Sequence, residues 1–254
     1  LGALSLNEEV IDPNEHHILD KVARAALLCN DANIKKIEDD WHVVGDPMEG
    51  ALLAFSGKVG LESEKENKNW SRTDVIPFDA DHRYMATLNH AHDGDPYVFV
   101  KGAPERILSM CSKQVSSDQQ TVSLNLEYWQ QQADNIASSG QRVLAFAYLP
   151  VSSTQTVISR NELEGKIQLL GMVGMIDPPR EEAIQAVAEC HSAGISVKMI
   201  TGDHTKTAAA IGKQIGLSNS EKVITGLNID GMDDADIKKA VINCDVFART
   251  SAEH

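Results

Sequence analysis

Cysteine, positive charge and long apolar runs are all scarce in this chain, and each scarcity closes off a class. Its 4 cysteines, Cys29, Cys111, Cys190 and Cys244, lie far apart with no CxxC pair. That offers neither zinc-ligand spacing nor a disulfide framework, and it points to a reducing compartment. Lysine and arginine number 23 against 37 acidic residues, a net charge of -14. A nucleic-acid-binding surface would need a basic face, so nucleic acid is not an expected partner. A few local cations could still hold an anionic ligand. The most continuous apolar run, Ile167 to Ile176, falls short of the ~18 residues of a membrane span and carries two glycines. No GxxxxGK[ST] occurs, so a P-loop is excluded. There is no initiator methionine and no basic n-region, so no signal peptide is expected, and both ends read as cut from something longer.

What is present is an ordinary globular composition: 254 residues, 42% apolar and 24% charged, enough for one large domain or two of average size. Helical spacing of Ile18, Leu19, Val22, Ala25, Ala26 and Cys29 predicts a helix over 16–29. Trp41 to Val44 reads as a short strand. Asp46-Pro47-Met48-Glu49 reads as a helix start, with Asp46 as cap, Pro47 in the first turn and Glu49 three residues after the cap. The charged stretch 62–72 reads as an exposed loop or frayed helix. Strands are expected at 73–78, 84–89 and 97–101, the last two joined by a turn-rich segment. Then follow a helix from Pro104, a polar loop over 112–121, a helix over 126–139 stopped by Gly140, a strand at 143–149, a polar excursion over 151–160 and a buried strand at 167–176. After Asp177-Pro178-Pro179-Arg180 the pattern becomes βα alternation: helices over 181–193, 204–215 and 233–243, and strands over 195–200, 222–224 and 246–248. Two units are therefore expected, an α+β part over 1–176 and an α/β part with a parallel sheet over 177–254. Both are acidic, with 15 basic against 25 acidic residues in the first and 8 against 12 in the second.

Several short segments could carry chemistry. Thr201-Gly202-Asp203 follows an apolar strand and opens a helix, where free amides and the dipole end suit phosphate. Read alone, it is equally a plain helix start with Asp203 as cap. Lys101-Gly102 places a lysine at a strand end, able to reach a base or phosphate; a solvated lysine is the plainer alternative. Arg142 opens a strand and could approach phosphate. Phe78, with His82-Arg83 nearby, could stack on a purine, or simply pack in the core. His90, His92, Asp93 and Asp95 fall in a turn with Gly94 and Pro96, so no metal site is expected there.

Singly these signals are weak, but their order is specific. GDPMEGAL (45–52), PFDADHRYM (77–85), VKGAPERIL (100–108), QRVLAFAY (141–148), GMVGMIDPPR (171–180), KMITGDHTKTAAAIG (198–212) and VFART (246–250) span nearly the whole chain. In this order they resemble the cytoplasmic nucleotide-binding region of cation-transporting P-type ATPases, most closely the bacterial calcium-pump-like branch. The resemblance implies an α+β ATP-binding domain, an antiparallel sheet with flanking helices, over 1–176. It implies part of a haloacid dehalogenase-like phosphorylation domain over 177–254, with Asp177 to Arg180 as the hinge.

By the same resemblance, Glu49 contacts the adenine amino group, Phe78 stacks on the base, and Lys101 and Arg83 line the pocket. Arg142 reaches the phosphates, Thr201 and Gly202 bind the transferred phosphoryl group, and Asp203 and Arg249 approach the ribose and phosphate end. ATP and Mg2+ are the implied substrate and ion. The implied partners are the rest of a membrane-embedded pump, namely its phosphorylation, actuator and transmembrane domains. This region would lie on the cytoplasmic side; the branch resemblance leans to calcium as the cation and leaves sodium, potassium, magnesium and manganese open. Met48 stands where the family often has threonine, and Ala80 where some calcium pumps have arginine. The phosphorylated-aspartate motif DKTGT and the magnesium motif GDGxND do not occur, so this stretch alone is expected to be inactive. A free-standing haloacid dehalogenase-like phosphatase is the alternative. It lacks a DxD-like nucleophile, because Asp12, Asp20 and Asp31 sit in no such strand-end setting.

Overall fold

The computed structural model describes residues 4–250 apart from 7, 38, 39, 93, 177 and 178. Asp177 and Pro178 of the expected hinge, and Asp93 of the turn, therefore lie outside the described residues. The chain separates into two compact units, one of residues 1–130 with 144–173, the other of residues 131–143 with 174–254.

The first unit opens with a small ribbon, β1 (Ser5–Leu6) and β2 (Glu9–Val10), followed by α1 (His17–Leu28). A hairpin, β3 (Asn33–Ile37) and β4 (Asp40–Val44), leads to α2 (Pro47–Val59) and α3 (Ser63–Asn69). β3 is exposed on nearly every residue, so it carries no apolar alternation to announce it. α2 begins as its sequence dictates: the Asp46 carboxylate accepts from the amides of Met48 (2.7 Å) and Glu49 (3.3 Å), and Pro47 sits in the first turn. It ends at Gly60, whose φ of +100° is the left-handed cap that glycine adopts at least cost. Next come β5 (Trp70–Asp79), β6 (Tyr84–Ala91), β7 (Tyr97–Gly102), α4 (Pro104–Met110), β8 (Cys111–Val115), β9 (Thr121–Ser123), α5 (Leu126–Ser138), β10 (Arg142–Pro150), α6 (Arg160–Leu163) and β11 (Ile167–Met175), of which residues 131–138 of α5, 142–143 of β10 and 174–175 of β11 belong to the second unit.

These strands form a seven-stranded sheet in the order β5-β6-β7-β10-β11-β8-β9. The pairs β5/β6, β6/β7, β7/β10 and β8/β9 are antiparallel, but β8 runs parallel to β11. The sheet is thus mixed, not the antiparallel sheet expected. β8 is reached from β7 through helix α4 and not through a tight turn, and such a crossover lets a strand run in either sense. The hairpin β8–β9 also replaces the expected loop at 112–121. At this sheet edge most side chains face water, so polar residues suffice.

Both faces of the central strands are covered. On one, Tyr84, Ala86, Leu88, Val98, Val100, Ala145 and Ala147 pack against Ile107, Leu108 and Met110 of α4 and Leu163 of α6. On the other lie Met85, Thr87 and Lys101, next to α1: the Cys29 thiol donates to Met85 O (3.5 Å) and Thr87 Oγ1 to Leu28 O (3.4 Å). This explains why Tyr84 to Asn89 is buried without interruption.

The second unit holds α7 (Glu181–Ser192), β12 (Met199–Thr201), α8 (Thr205–Gln214), β13 (Val223–Thr225), α9 (Gly226–Asp230), α10 (Asp234–Asn243) and β14 (Val246–Ala248). Its three strands are parallel in the order β12-β14-β13, and Val187, Ala208, Leu217, Val246 and Ala248 form a core. The strand expected at 195–200 is shorter. The amide of Ile195 is spent on Cys190 O (2.8 Å) in the turn that closes α7, so pairing with β14 starts only at Met199. Lys198 and Asp245 bridge β12 to β14 at 2.6 Å. Burial raises the Asp245 carboxyl, but the Lys198 ammonium and the Asn219 donors outweigh it, and the net shift is downward.

Candidate functional site

In the first unit the structure brings Glu49 and Lys101 into direct contact. Glu49 projects from the first turn of α2 and Lys101 from the end of β7, and Lys101 Nζ donates to Glu49 Oε1. The side chains are only 18% and 8% exposed, so the lysine is not the solvated strand-end residue of the plainer reading. The other carboxylate oxygen accepts from the Asp31 amide (3.1 Å), and Asn30 Nδ2 ties the Glu49 carbonyl to α1 through Ala26 O, each at 3.0 Å. Asn30 and Asp31 had no recognisable sequence signal. They matter because α1 delivers them over the sheet. Beneath this pair sits Cys29, whose complete burial pushes its thiol up to about 11, partly offset by the Lys101 charge.

Phe78 lies on β5 within the register shift between Ile76 and Asp79, whose partners Ala86 and Tyr84 flank Met85 on β6, and Met85 pairs with Lys101 on β7. Phe78 and Lys101 thus lie at the same end of the sheet, on β5 and β7 with β6 between them. The ring is 64% exposed, which overturns the alternative of core packing. An exposed large aromatic offers a flat apolar face to solvent. The turn after it places Arg83 at φ +57°, with its guanidinium on Glu105 at 2.8 Å. Gly102 makes this turn possible: a Cβ there would sit 2.5 Å from Arg83 O and 2.7 Å from the Tyr84 Cβ. Of the turn residues, His90 is engaged with Gln155 O (2.9 Å).

The other five candidates fall in the second unit. Thr201 ends β12 and Arg249 follows β14, so both stand at the carboxyl ends of neighbouring parallel strands, where such sheets bind ligands. The Thr250 amide reaches Thr201 O at 3.4 Å, and Arg249 has φ +51°. Thr201 Oγ1 accepts from the Asp203 amide (3.1 Å). Asp203 does not cap α8; His204 does, through Nδ1 and the Lys206 amide at 3.3 Å. The Asp203 carboxylate instead pairs with Arg142 Nε at 2.9 Å, a partnership that a separation of 61 positions hides in the sequence. A Cβ on Gly202 would meet nothing within 4 Å, so the protein's own packing does not demand glycine there.

The mixed sheet thus carries the enclosed Glu49–Lys101 pair at the end of β7 and an exposed Phe78 at the same end of β5. Residues 19–182, well over half of the chain, match the family of the P-type ATPase cytoplasmic domain N, and the chain belongs to that family. Among similar proteins is the cation-transporting ATPase pma1 of Synechocystis, 42% identical over 237 residues, covering 92% of this chain and 26% of the relative. A calcium-transporting ATPase of Bacillus subtilis is 35% identical over 256 residues, 100% of this chain and 29% of the relative. Calcium-transporting ATPase 1 of Lactococcus lactis is 36% identical over 91% of this chain and 26% of its own length. The chain thus spans little more than a quarter of the length of these relatives. Among the described residues, no helix is long and apolar enough to cross a membrane.

Proposed function

We propose that this chain is the ATP-binding part of a cation-transporting P-type ATPase. Residues 1–176 form the nucleotide-binding domain, and residues 177–254 form part of a haloacid dehalogenase-like phosphorylation domain. The observation that carries the reading is the exposed Phe78 ring at the same end of the sheet as the enclosed Glu49–Lys101 pair. Phe78 stacks on adenine. Glu49 is held by Lys101 and the Asp31 amide, and a carboxylate has about four acceptor positions, so lone pairs remain for the adenine amino group. Arg83, turned into the left-handed region, adds positive charge at the rim.

In the second unit, Thr201 and Gly202 receive phosphoryl oxygens, Asp203 and Arg249 approach the ribose and phosphate end, and Arg142 and Arg249 are the local cations. The open space at Gly202 favours a ligand there over a purely structural turn. Magnesium accompanies ATP in this class of reaction, but no cluster among the described residues would hold it, and no step here depends on it. In the whole pump, an aspartate in DKTGT would accept the γ-phosphoryl group and cation movement across the membrane would follow. Neither DKTGT nor GDGxND occurs in this chain, so γ-labelled ATP should leave no acid-stable, hydroxylamine-sensitive label on it. Calcium as the cation is supported only by the names of relatives such as the Bacillus subtilis and Lactococcus lactis pumps.

Without a P-loop, base recognition dominates. One stacking contact and one charge-assisted hydrogen bond give a dissociation constant of roughly 0.1–1 mM. Titration of ATP into isotope-labelled protein tests the reading. Shifts should cluster at Glu49, Phe78 and Lys101, and Phe78→Ala should weaken binding by about 1–3 kcal/mol. Shifts clustering elsewhere, or unchanged affinity in Phe78→Ala, would remove the adenine site.

A further inference from the structure

The segment between β10 and α6 has no part in the account so far, yet it reaches the turn that follows Phe78. Arg160, the first residue of α6, places Nη1 2.6 Å from each of the two ring nitrogens of His82 and donates through Nη2 to Asp79 Oδ2 at 3.3 Å. An arginine has donors and no acceptor, so only one His82 nitrogen can accept from it; Nδ1 also faces Asp79 Oδ1 at 3.3 Å, where an N–H donates to the carboxylate and leaves Nε2 to accept. Asp79 is the centre of the turn. Its Oδ1 accepts from the amides of Asp81 (2.8 Å) and His82 (3.3 Å), and its carbonyl accepts from the Arg83 amide at 2.6 Å. The two amides and the His82 ring, aided by Arg160, hold the Asp79 carboxyl down at about 2.

The base of this clamp is rigid. Two residues before Arg160, Ile158 is buried and its amide donates to Asp74 Oδ2 on β5 at 2.8 Å. Ser159 and Glu162 close a capping box, and Leu163 is fully buried. By contrast, Arg160 and Asp79 are 36% and 38% exposed, so their ion pair adds little to stability. What the contact fixes is the position of the turn. Phe78 sits where the β5–β6 register lapses, so its backbone is located by Asp79 on one side and Ile76 on the other.

We propose that Arg160 is a positioning residue for adenine recognition: it clamps the 79–83 turn and so holds the exposed Phe78 ring in a stacking orientation before ligand arrives. This rests on the reading of Phe78 as the adenine platform. A ring left to wander would have to be ordered on binding, a cost that corresponds to a loss of about 3- to 10-fold in affinity.

The experiment measures ATP dissociation constants and melting temperatures for the 254-residue chain and for Arg160→Ala, Arg160→Lys, Phe78→Ala and the Arg160→Ala/Phe78→Ala double variant. Arg160→Ala should bind ATP about 3- to 10-fold more weakly with its melting temperature nearly unchanged. Arg160→Lys, which can keep the Asp79 contact, should recover part of the loss. The double variant should bind no more weakly than Phe78→Ala alone, because the clamp acts through the ring. Multiplying losses in the double variant would mean that Arg160 touches the nucleotide itself and would overturn the positioning role. Unchanged affinity in Arg160→Ala, with Phe78→Ala still weakened, would discard the clamp and leave the adenine site standing. An unaffected Phe78→Ala would remove both. If Arg160→Ala unfolds, Arg160→Lys decides: affinity equal to the parent chain, with the Asp79 and His82 resonances displaced, overturns the proposal.

Discussion

Replacing Glu49 by glutamine should expose how much of the first unit's stability hangs on one enclosed charge pair. The Lys101 ammonium is 8% exposed, and Glu49 Oε1 is the acceptor the structure gives it. Removing one partner of a fully buried pair costs about 3–5 kcal/mol, chiefly because the other charge is stranded. Glutamine still offers a neutral oxygen, and the site is not fully sealed, so about 2–3 kcal/mol is expected for Glu49→Gln. Lys101→Met should cost less, about 1–2 kcal/mol, because Glu49 is 18% exposed and keeps the Asp31 amide at 3.1 Å. The double variant strands no charge and should be no less stable than Glu49→Gln alone, a coupling of about 1–3 kcal/mol. Trp41, Trp70 and Trp129 all lie in the first unit, so urea unfolding followed by tryptophan fluorescence reports on this unit. A Glu49→Gln cost below about 0.5 kcal/mol, or strictly additive costs in the double variant, would refute the picture of a desolvated pair.

Three further outcomes are expected. Cys29 has a folded pKa raised from 9.0 to about 11 by burial. The unfolded chain therefore ionises first, so stability is complete below pH 9 and falls by about 3 kcal/mol between pH 9 and 11. The slope of urea midpoint against pH should flatten in Cys29→Ala, and an equal slope would contradict the shift. Gly102→Ala forces a Cβ to 2.5 Å from Arg83 O. It should cost about 1–3 kcal/mol and displace the Arg83 amide resonance, whereas a neutral substitution would show that the strands part easily. In the second unit, Ile200, Leu227 and Ile242 are 71%, 85% and 73% exposed. With so much apolar surface outside its core, amide exchange there should open at lower free energy than in β6 and β7, and uniform protection across both units would contradict this.

Elements governed by local chemistry were legible in the sequence. The start of α2 is written in Asp46-Pro47, because a cap and a fixed φ act within one turn. The stop at Gly140, with φ +78°, is equally local. The helix of residues 17–28 shows its buried stripe at helical spacing. The candidate residues were legible as types at motif positions, since a lysine before a glycine turn or a Thr-Gly-Asp after a strand is visible in one dimension. Their partners were not. Glu49 meets Lys101 across 52 positions of sequence, and Asn30 and Asp31, which follow α1, hold the Glu49 carbonyl and carboxylate. Asp203 turned from capping its helix to pairing with Arg142 because His204 took the cap. The parallel pairing of β8 with β11 depended on a helical crossover that leaves strand direction open. Whether Phe78 faced core or solvent rested on a register shift between β5 and β6, and a shift of one residue reverses the face a side chain takes. Local backbone chemistry thus settled where elements begin and end, while register and crossing geometry, which sum over many distant contacts, decided which side chains stand together.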